Sequence, residues 1–393
     1  MSIKELGQLA NTSGVHSIKY FTYRLKKINP AYYIGKGNLE KIKDIINNYK
    51  INLVIFDNQL SPAQLRNIEE ELEVKILDRN QLIMDIFALH AQSKESKIQV
   101  ELAQLEYLLP RLVGRGEELS RLAGGIGTRG PGETKLEVDR RRIEKKIHRL
   151  KEKLKNIRSD REIQRKSRKD PIISLVGYTN AGKTTILNLL TGEDSLVEDQ
   201  LFATLDSTAR SYELPNGKNI IVTDTVGFIK NLPHQLIASF RSTLEEITEA
   251  DLILHIIDAN DEEVNNKVNI VEKELIELGI QDKPIQKVFN KIDLIDSEIK
   301  KDLEIKYPEA IFISAEENIN TNHLRNKLCD FIEQSMIRYT LEIPYDNANI
   351  IEILHNQGLV EKEKYKNEFI FMDAYIPKKL SKKLGKFIVK SKS

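Results

Sequence analysis

"GYTNAGKTT", residues 177–185, follows the apolar run "PIISLV" and precedes "ILNLLT". Two glycines around a lysine, where a buried strand gives way to a helix, make a cradle for an anion. Glycine lets main-chain N–H groups approach a phosphate, and the helix head adds its own unpaired N–H groups. The spacing Gly177-x-x-x-x-Gly182-Lys183-Thr184 is that of the nucleotide phosphate loop. Contacts to a nucleotide are expected from the whole stretch: Gly177, Tyr178, Thr179, Asn180, Ala181, Gly182, Lys183, Thr184 and Thr185. Lys183 would carry a point charge to the β- and γ-phosphates, and the Thr184 hydroxyl would ligate Mg²⁺. Taken alone, the pattern also fits a glycine-rich strand–helix turn with no ligand.

The flanking sequence decides between these. "IISLVG", "NIIVTDT", "DLILHIIDA", "PIQKVFNKID" and "AIFISA" read as strands separated by helical stretches, and their polar residues fall at the carboxyl ends. That is the pattern of a doubly wound, mostly parallel α/β sheet, which binds ligands at those ends. Asp224, in "TDTVG", ends one strand and can join Thr184 and Thr204 in holding Mg²⁺, while the Gly227 N–H can meet the γ-phosphate. Lys183, Thr204 and Gly227 are therefore the candidate catalytic residues. Asn290-Lys291-Ile292-Asp293 ends a later strand. A carboxylate at Asp293 accepts two hydrogen bonds from guanine N1–H and its exocyclic amine, whereas adenine lacks that donor pair. Ser314 and Ala315, ending the next strand, would back the base with a main-chain N–H. The expected substrate is GTP with Mg²⁺. Phe228 stands where many related hydrolases place a glutamine that orients the attacking water, so slow intrinsic hydrolysis is expected.

Upstream, residues 18–80 alternate "YYIGKG", "NLEKIKDIINNYK", "NLVIFD", "SPAQLRNIEEEL" and "VKILD", a βαβαβ rhythm. Ile98, Leu102, Leu105 and Leu109 make one helical stripe, and Ile143, Ile147, Leu150, Leu154 and Ile157 make a second, predicted to lie antiparallel to the first. Between them, residues 111–135 hold seven glycines and the cations Arg111, Arg115, Arg121 and Arg129. Such a stretch cannot build a core, and its composition leaves RNA contact and a partnerless tip about equally open. Residues 136–170 carry fifteen Lys or Arg against seven Asp or Glu, although the whole chain has a net charge of only +1. The expected organisation is an α/β domain over 1–80, a helical hairpin over 81–165, a linker over 166–171, a P-loop domain over 172–336 and a small αβ domain over 337–393.

With 393 residues, 40% of them hydrophobic, the chain can bury several cores. One cysteine, Cys329, excludes an intramolecular disulfide framework. The first twenty residues lack an apolar stretch of signal-peptide type, and "LILHIIDA" (252–259) is too short to span a bilayer. A cytoplasmic monomer is expected, with association of a part of it with membranes left open and no membrane span.

These motifs together resemble the HflX family of translational GTPases. "DRNQLIMDIFALHA", "QVELAQLEYLLPRL", "GRGEELSRLAGGIGTRGPGETKLEVDRRRI", "LFATLDSTAR" and "DTVGFIKNLPHQLIASFRSTLEE" join the phosphate loop and "NKID" in the family's order. The resemblance spans about residues 20–375. It implies binding to the large ribosomal subunit and its RNA, with the loop around Gly124 to Glu133 directed toward the peptidyl-transferase centre. Arg115, Arg121, Arg129, Arg140, Arg141 and Arg142 are the implied RNA contacts. Some members split or rescue stalled ribosomes after stress. An RNA remodelling protein that uses ATP as readily as GTP, and a low-turnover factor protecting ribosomes from antibiotics, are the alternatives. Two departures stand out: Ser96 in "SKESK" replaces a glycine many relatives carry, and "SAEEN" replaces the commoner "SAKTG" after Ser314-Ala315.

Overall fold

The computed structural model describes residues 2–112, 135–166, 170–192, 201–202, 204–230, 247–347, 349–377, 380–381 and 384–392. The chain divides into two compact units. One comprises Met1–Arg165 with Glu198–Asp206 and Val226–Glu245; the other comprises Lys166–Val197, Ser207–Thr225 and Glu246–Ser393.

The first unit contains α1 (Ser2–Thr12), α2 (Lys36–Tyr49), β1 (Leu53–Phe56), α3 (Pro62–Leu72), β2 (Lys75–Asp78), α4 (Arg79–His90), α5 (Lys94–Leu112) and α6 (Lys135–Lys166). Strands β1 and β2 pair in parallel, joined by α3 as a crossover. Helix α3 begins where Ser61 and Pro62 predict. The Ser61 hydroxyl accepts from the Gln64 N–H and the Gln64 side chain accepts from the Ser61 N–H, a reciprocal cap that stabilises such a helix by about 1 kcal/mol.

The strand expected at "YYIGKG" does not form. Asn29 Oδ1 accepts from the N–H groups of Ala31 and Tyr32, Tyr33 takes φ 64°, and Gly35 caps α2. A side chain that satisfies local N–H groups closes a turn and withdraws those donors from any ladder. Helix α1 had no counterpart in the sequence reading. It is anchored through Glu5, which forms an ion pair with Arg79 at the start of α4, and Arg79 also reaches Asp57 at 2.8 Å. Arg79 is only 2% exposed. Burial works against its charge, but Glu5 and Asp57 outweigh that and raise its pKa above the ordinary arginine value.

Helices α5 and α6 pack along the two predicted stripes, with Ile98, Leu102, Ile147, Leu150 and Leu154 buried between them. Lys146 pairs with Glu101, and Lys151 with Glu106 at 2.8 Å, so part of the basic coat of α6 is engaged with α5. Helix α5 continues to Leu112, carrying Pro110 in its last turn. Arg111 was expected among the loop cations and is instead used in packing. Its guanidinium lies 3.3 Å from the Tyr107 ring centre, donates to the carbonyls of Tyr107 and Leu60, and sits 3.5 Å from buried Asp78.

The second unit contains β3 (Ile172–Gly177), α7 (Lys183–Thr191), β4 (Thr208–Glu213), β5 (Asn219–Asp224), β6 (Leu252–Asp258), α8 (Val264–Glu277), β7 (Ile285–Asn290), α9 (Ser297–Lys306), β8 (Ile311–Phe312) and α10 (Thr321–Gln334). Next come β9 (Met336–Pro344), α11 (Asn349–Gln357), β10 (Leu359–Tyr365), β11 (Phe369–Pro377) and β12 (Ile388–Lys392). Six strands form one sheet in the order β4-β5-β3-β6-β7-β8, and only β4 runs antiparallel. Strands β3 and β6 are buried along nearly their whole length, which accounts for their continuous apolar sequence. The last four strands form a separate antiparallel sheet in the order β10-β11-β9-β12, with a core of its own around Leu341, Leu354, Met372 and Ile376.

One strand residue breaks the apolar rule. His255, in the middle of β6, is 1% exposed. Burial, reinforced by the charges of Lys287 and Lys183, pushes its pKa down to about 3. The folded chain therefore keeps the imidazole neutral, while the unfolded chain protonates it below about pH 6.5. Stability from this group is intact above that value and declines as the pH falls toward 3. His255→Leu is expected to remove roughly 2 to 3 kcal/mol of the stability lost between about pH 6.5 and 4.5. Urea unfolding of both proteins at the two pH values checks this; equal losses would refute it.

Candidate nucleotide site

The chain leaves β3 toward β5 on one side and β6 on the other, which places the crevice of the sheet beyond the carboxyl end of β3. Residues 177–185 occupy that end and lead into α7. Two glycines there are dictated by close approach. A Cβ on Gly177 would lie 2.2 Å from the Ile256 carbonyl oxygen. One on Gly182 would lie 2.2 Å from Asn290 Nδ2, and Gly182 also has φ 87°, which side-chain-bearing residues rarely adopt. Gly182 is the N-cap of α7, so the helix head opens directly onto the loop. Tyr178, Thr179, Ala181 and Lys183 are buried, Thr184 and Thr185 are half-buried, and Asn180 takes φ 63°.

Lys183 is 6% exposed, and its Nζ donates to the Tyr178 carbonyl at 3.1 Å. Burial lowers its pKa, and the charge of Asp224 works in the opposite direction. A desolvated ammonium in a loop of main-chain N–H groups is a strong site for a polyanion. Thr184, the next residue, donates its hydroxyl to Asp224 Oδ2 at 2.8 Å. The hydroxyl and carboxylate predicted to share a metal are thus adjacent, and Asp224 is fully buried at the end of β5. Hard oxygen donors with one carboxylate suit Mg²⁺, which draws its remaining ligands from water and phosphate. Among the described residues no group of three or more His, Cys, Asp or Glu could hold a metal.

The base-reading candidates lie at the ends of β7 and β8. Asn290 is 2% exposed and has a role the sequence reading missed. Its Nδ2 donates to the Ala181 carbonyl at 3.1 Å, and its Oδ1 accepts from the Ala315 N–H at 2.9 Å. The side-chain amide thereby ties the phosphate loop to the turn after β8. Lys291, with φ 64°, donates to the Asn180 carbonyl at 2.9 Å and pairs with Asp258 at 2.8 Å. Asp258 ends β6, a carboxyl-end position that could have marked it in the sequence. Asp293 lies exposed in a short 3₁₀ turn, and among the described residues no protein group is hydrogen-bonded to its carboxylate. Ser314 is buried, and its hydroxyl accepts from the Glu317 N–H, so the unusual "SAEEN" sequence still closes a turn. Lys267 stands 4.5 Å from the Tyr178 ring centre, another neighbour not foreseen.

Thr204, Gly227 and Phe228 belong to the other unit. Thr204 is half-buried and Gly227 is buried. The Phe228 ring is 1% exposed, as expected of a packing residue. Arg140, Arg141 and Arg142 are exposed near the start of α6, where Arg140 pairs with Glu144 at 2.9 Å and Arg142 with Asp139 at 3.7 Å. Arg115, Arg121 and Arg129 lie outside the described residues. No helix among the described residues is long and apolar enough to cross a membrane.

Comparison with known proteins places this geometry in a family. Residues 1–88 match the family model described as "GTP-binding GTPase N-terminal", residues 90–168 that of the "GTP-binding GTPase Middle Region", and residues 172–291 that of the "50S ribosome-binding GTPase". The chain is 46% identical to "GTPase HflX" of Caldanaerobacter subterraneus subsp. tengcongensis over 99% of its own length and 90% of that protein. It is 38% identical to "GTPase HflX" of Escherichia coli over 92% of its own length and 86% of that protein. A GTP-binding protein from Sulfolobus solfataricus, solved in complex with GDP, aligns with 30% identity over 84% of this chain and 94% of that one, at a TM-score of 0.46. The phosphate loop, the buried lysine and the exposed acid beyond β7 thus stand in a chain that belongs to the HflX family of GTPases.

Proposed function

We propose that the protein binds and hydrolyses GTP on the large ribosomal subunit, yielding GDP and phosphate, and that the nucleotide state controls its docking on ribosomal RNA. The observation that carries the reading is the junction of Lys183, Thr184 and Asp224, with Asp293 left open for a base. In this reading, the loop N–H groups and Lys183 hold the phosphates. Thr184 and Asp224, with Thr204, hold Mg²⁺, which when bound neutralises charge on the β- and γ-phosphates. Asp293 selects guanine, and Gly227 offers its N–H to the γ-phosphate. The glycine- and arginine-rich stretch and the start of α6 supply the RNA-facing charge.

No glutamine follows Gly227, and the Phe228 ring is sequestered. Water positioning therefore falls to a partner, to potassium-assisted geometry or to another part of the chain, and intrinsic hydrolysis is slow. Splitting or rescuing stalled ribosomes under stress is the cellular role this chemistry suits. The buried Phe228 also favours a second reading, a protection factor that occupies the subunit with little turnover.

GTP hydrolysis with and without purified large subunits tests both. The first reading expects stimulation by about tenfold or more, and the second expects GTP-dependent binding without stimulation. Neither binding nor stimulation would reject both. Reversing Arg140, Arg141 and Arg142 to glutamate is expected to weaken subunit binding and flatten its salt dependence, since each lost phosphate contact removes roughly one unit from the log–log slope. An unchanged slope would return these arginines to the role of a solvated face.

A further inference from the structure

The segment carrying Thr204 is anchored by a side chain to which no role has been assigned. Asp206 accepts the N–H of Gln92 at 3.0 Å, the N–H of Ser93 at 2.9 Å and the Ser96 hydroxyl at 3.2 Å, and the Ser93 hydroxyl binds its second oxygen. These donors lie just before and within the first turn of α5, where Ser93 also accepts the Ser96 N–H as a helix cap. The aspartate thus gathers main-chain donors that α5 leaves unpaired at its head. The Ser96 hydroxyl lies within donating distance of both Asp206, at 3.2 Å, and the Ser93 carbonyl, at 3.0 Å.

The neighbouring residues hold the same grip. Leu201, Phe202 and Leu205 are all buried, and the Phe202 ring meets Phe87 of α4 edge-on at 4.6 Å between centres. Phe202 takes φ 61°, a backbone state that is strained for a bulky side chain and persists only where packing enforces it. A second connection comes from the Val226–Glu245 segment, whose Lys230 carbonyl accepts from Arg79 at 3.1 Å. Both segments therefore touch α4, the first also holds the head of α5, and α5 is followed in the sequence by residues 113–134.

We propose that Asp206 is a positioning residue that couples the nucleotide-dependent placement of Thr204 to the head of α5, and through α5 to the ribosome-facing stretch. Two residues of chain span at most about 7 Å, so Thr204 must stay within that distance of Asp206 or pull on the Asp206 anchorage. Any ligand that draws Thr204 toward its phosphate then biases α5, and anything that fixes α5 biases nucleotide choice by the same factor. The proposal rests on the GTPase reading above and adds the path by which the nucleotide state would reach the RNA-binding part.

Amide hydrogen exchange of residues 92–100 tests it on the full chain, with GDP and with 5′-guanylyl imidodiphosphate. The wild type is expected to show at least about a threefold difference in exchange between the two nucleotides. In Asp206→Ala that ratio should fall to about one, with GDP affinity within about twofold of the wild type and subunit-stimulated kcat reduced about tenfold. Ser96→Ala, which removes a single hydroxyl and keeps the Ser96 N–H that caps on Ser93, should lie between and serves as the decisive variant if Asp206→Ala misfolds. A merely structural aspartate would raise exchange equally in both states and preserve the ratio; that result, in either variant, overturns the proposal. So does a wild-type ratio of one in protein that binds both nucleotides. Failure of the wild type to bind either nucleotide would instead refute the GTPase reading itself.

Discussion

Replacing Lys183 with alanine is expected to weaken GTP binding roughly a thousandfold. The ammonium is almost wholly buried, and its hydrogen bond goes to a neutral carbonyl, that of Tyr178. A bound polyanion would offer it charge-assisted bonds, each contributing about 1.5–3 kcal/mol, and two such bonds lost correspond to two to four orders of magnitude. Thermal unfolding with titrated nucleotide reads this directly. A ligand at a thousand times its Kd stabilises the folded chain by about 4 kcal/mol, whereas the same concentration at a thousandfold weaker site contributes about 0.4. The comparison to make is the increment produced by nucleotide, because the truncation also removes a buried charge and leaves Asp224 without its neighbour. A nucleotide increment that survived in the variant would mean that the phosphates bind elsewhere.

Asp293→Asn should produce an effect of similar size and a change of preference. Guanine presents two donors to this position, and a carboxylate accepts both. An asparagine amide offers one acceptor and one donor, so one of the guanine donors meets another donor. GTP affinity is expected to fall roughly a hundredfold to a thousandfold, while xanthosine triphosphate, whose carbonyl replaces the exocyclic amine, should gain. ATP, which lacks the donor pair, should change little, so the preference for GTP over ATP collapses. Competition of the three triphosphates against a fluorescent GDP measures all of this in one series. An unaltered GTP-to-ATP ratio would remove Asp293 from base recognition. Because this acid is exposed and among the described residues carries no hydrogen bond, the exchange should leave the fold undisturbed.

The strand-to-helix turn at 177–185 and the strand end at "NKID" were legible in the sequence because each is a short stretch in which residue type, spacing and the end of a strand act together. The doubly wound sheet was legible for the same reason: strands buried on both faces leave continuous apolar runs. Where local chemistry competed with propensity, the reading failed. "YYIGKG" has the aromatic and β-branched residues of a strand, but Asn29 and Gly35 close it into a turn. Arg111 shares its composition with the loop cations, yet packing on Tyr107 and proximity to Asp78 fix its use. The grip of Asp206 on Ser93 and Ser96 links residues more than a hundred positions apart, and no periodicity encodes such a pairing. The double duty of Asn290 was hidden for a similar reason, since each of its partners lies on a different loop.

That amide has a thermodynamic consequence. Because one planar group is hydrogen-bonded at both ends, to the phosphate loop at Ala181 and to the turn after β8 at Ala315, the two halves of a nucleotide held there should not be felt independently. Guanosine and inorganic pyrophosphate, offered as separate molecules, are then expected to enhance one another's retention, and an Asn290→Ala protein should treat them as strangers. Selectivity for the ring would thereby sharpen when the tail is long, and slacken after its last phosphate is gone.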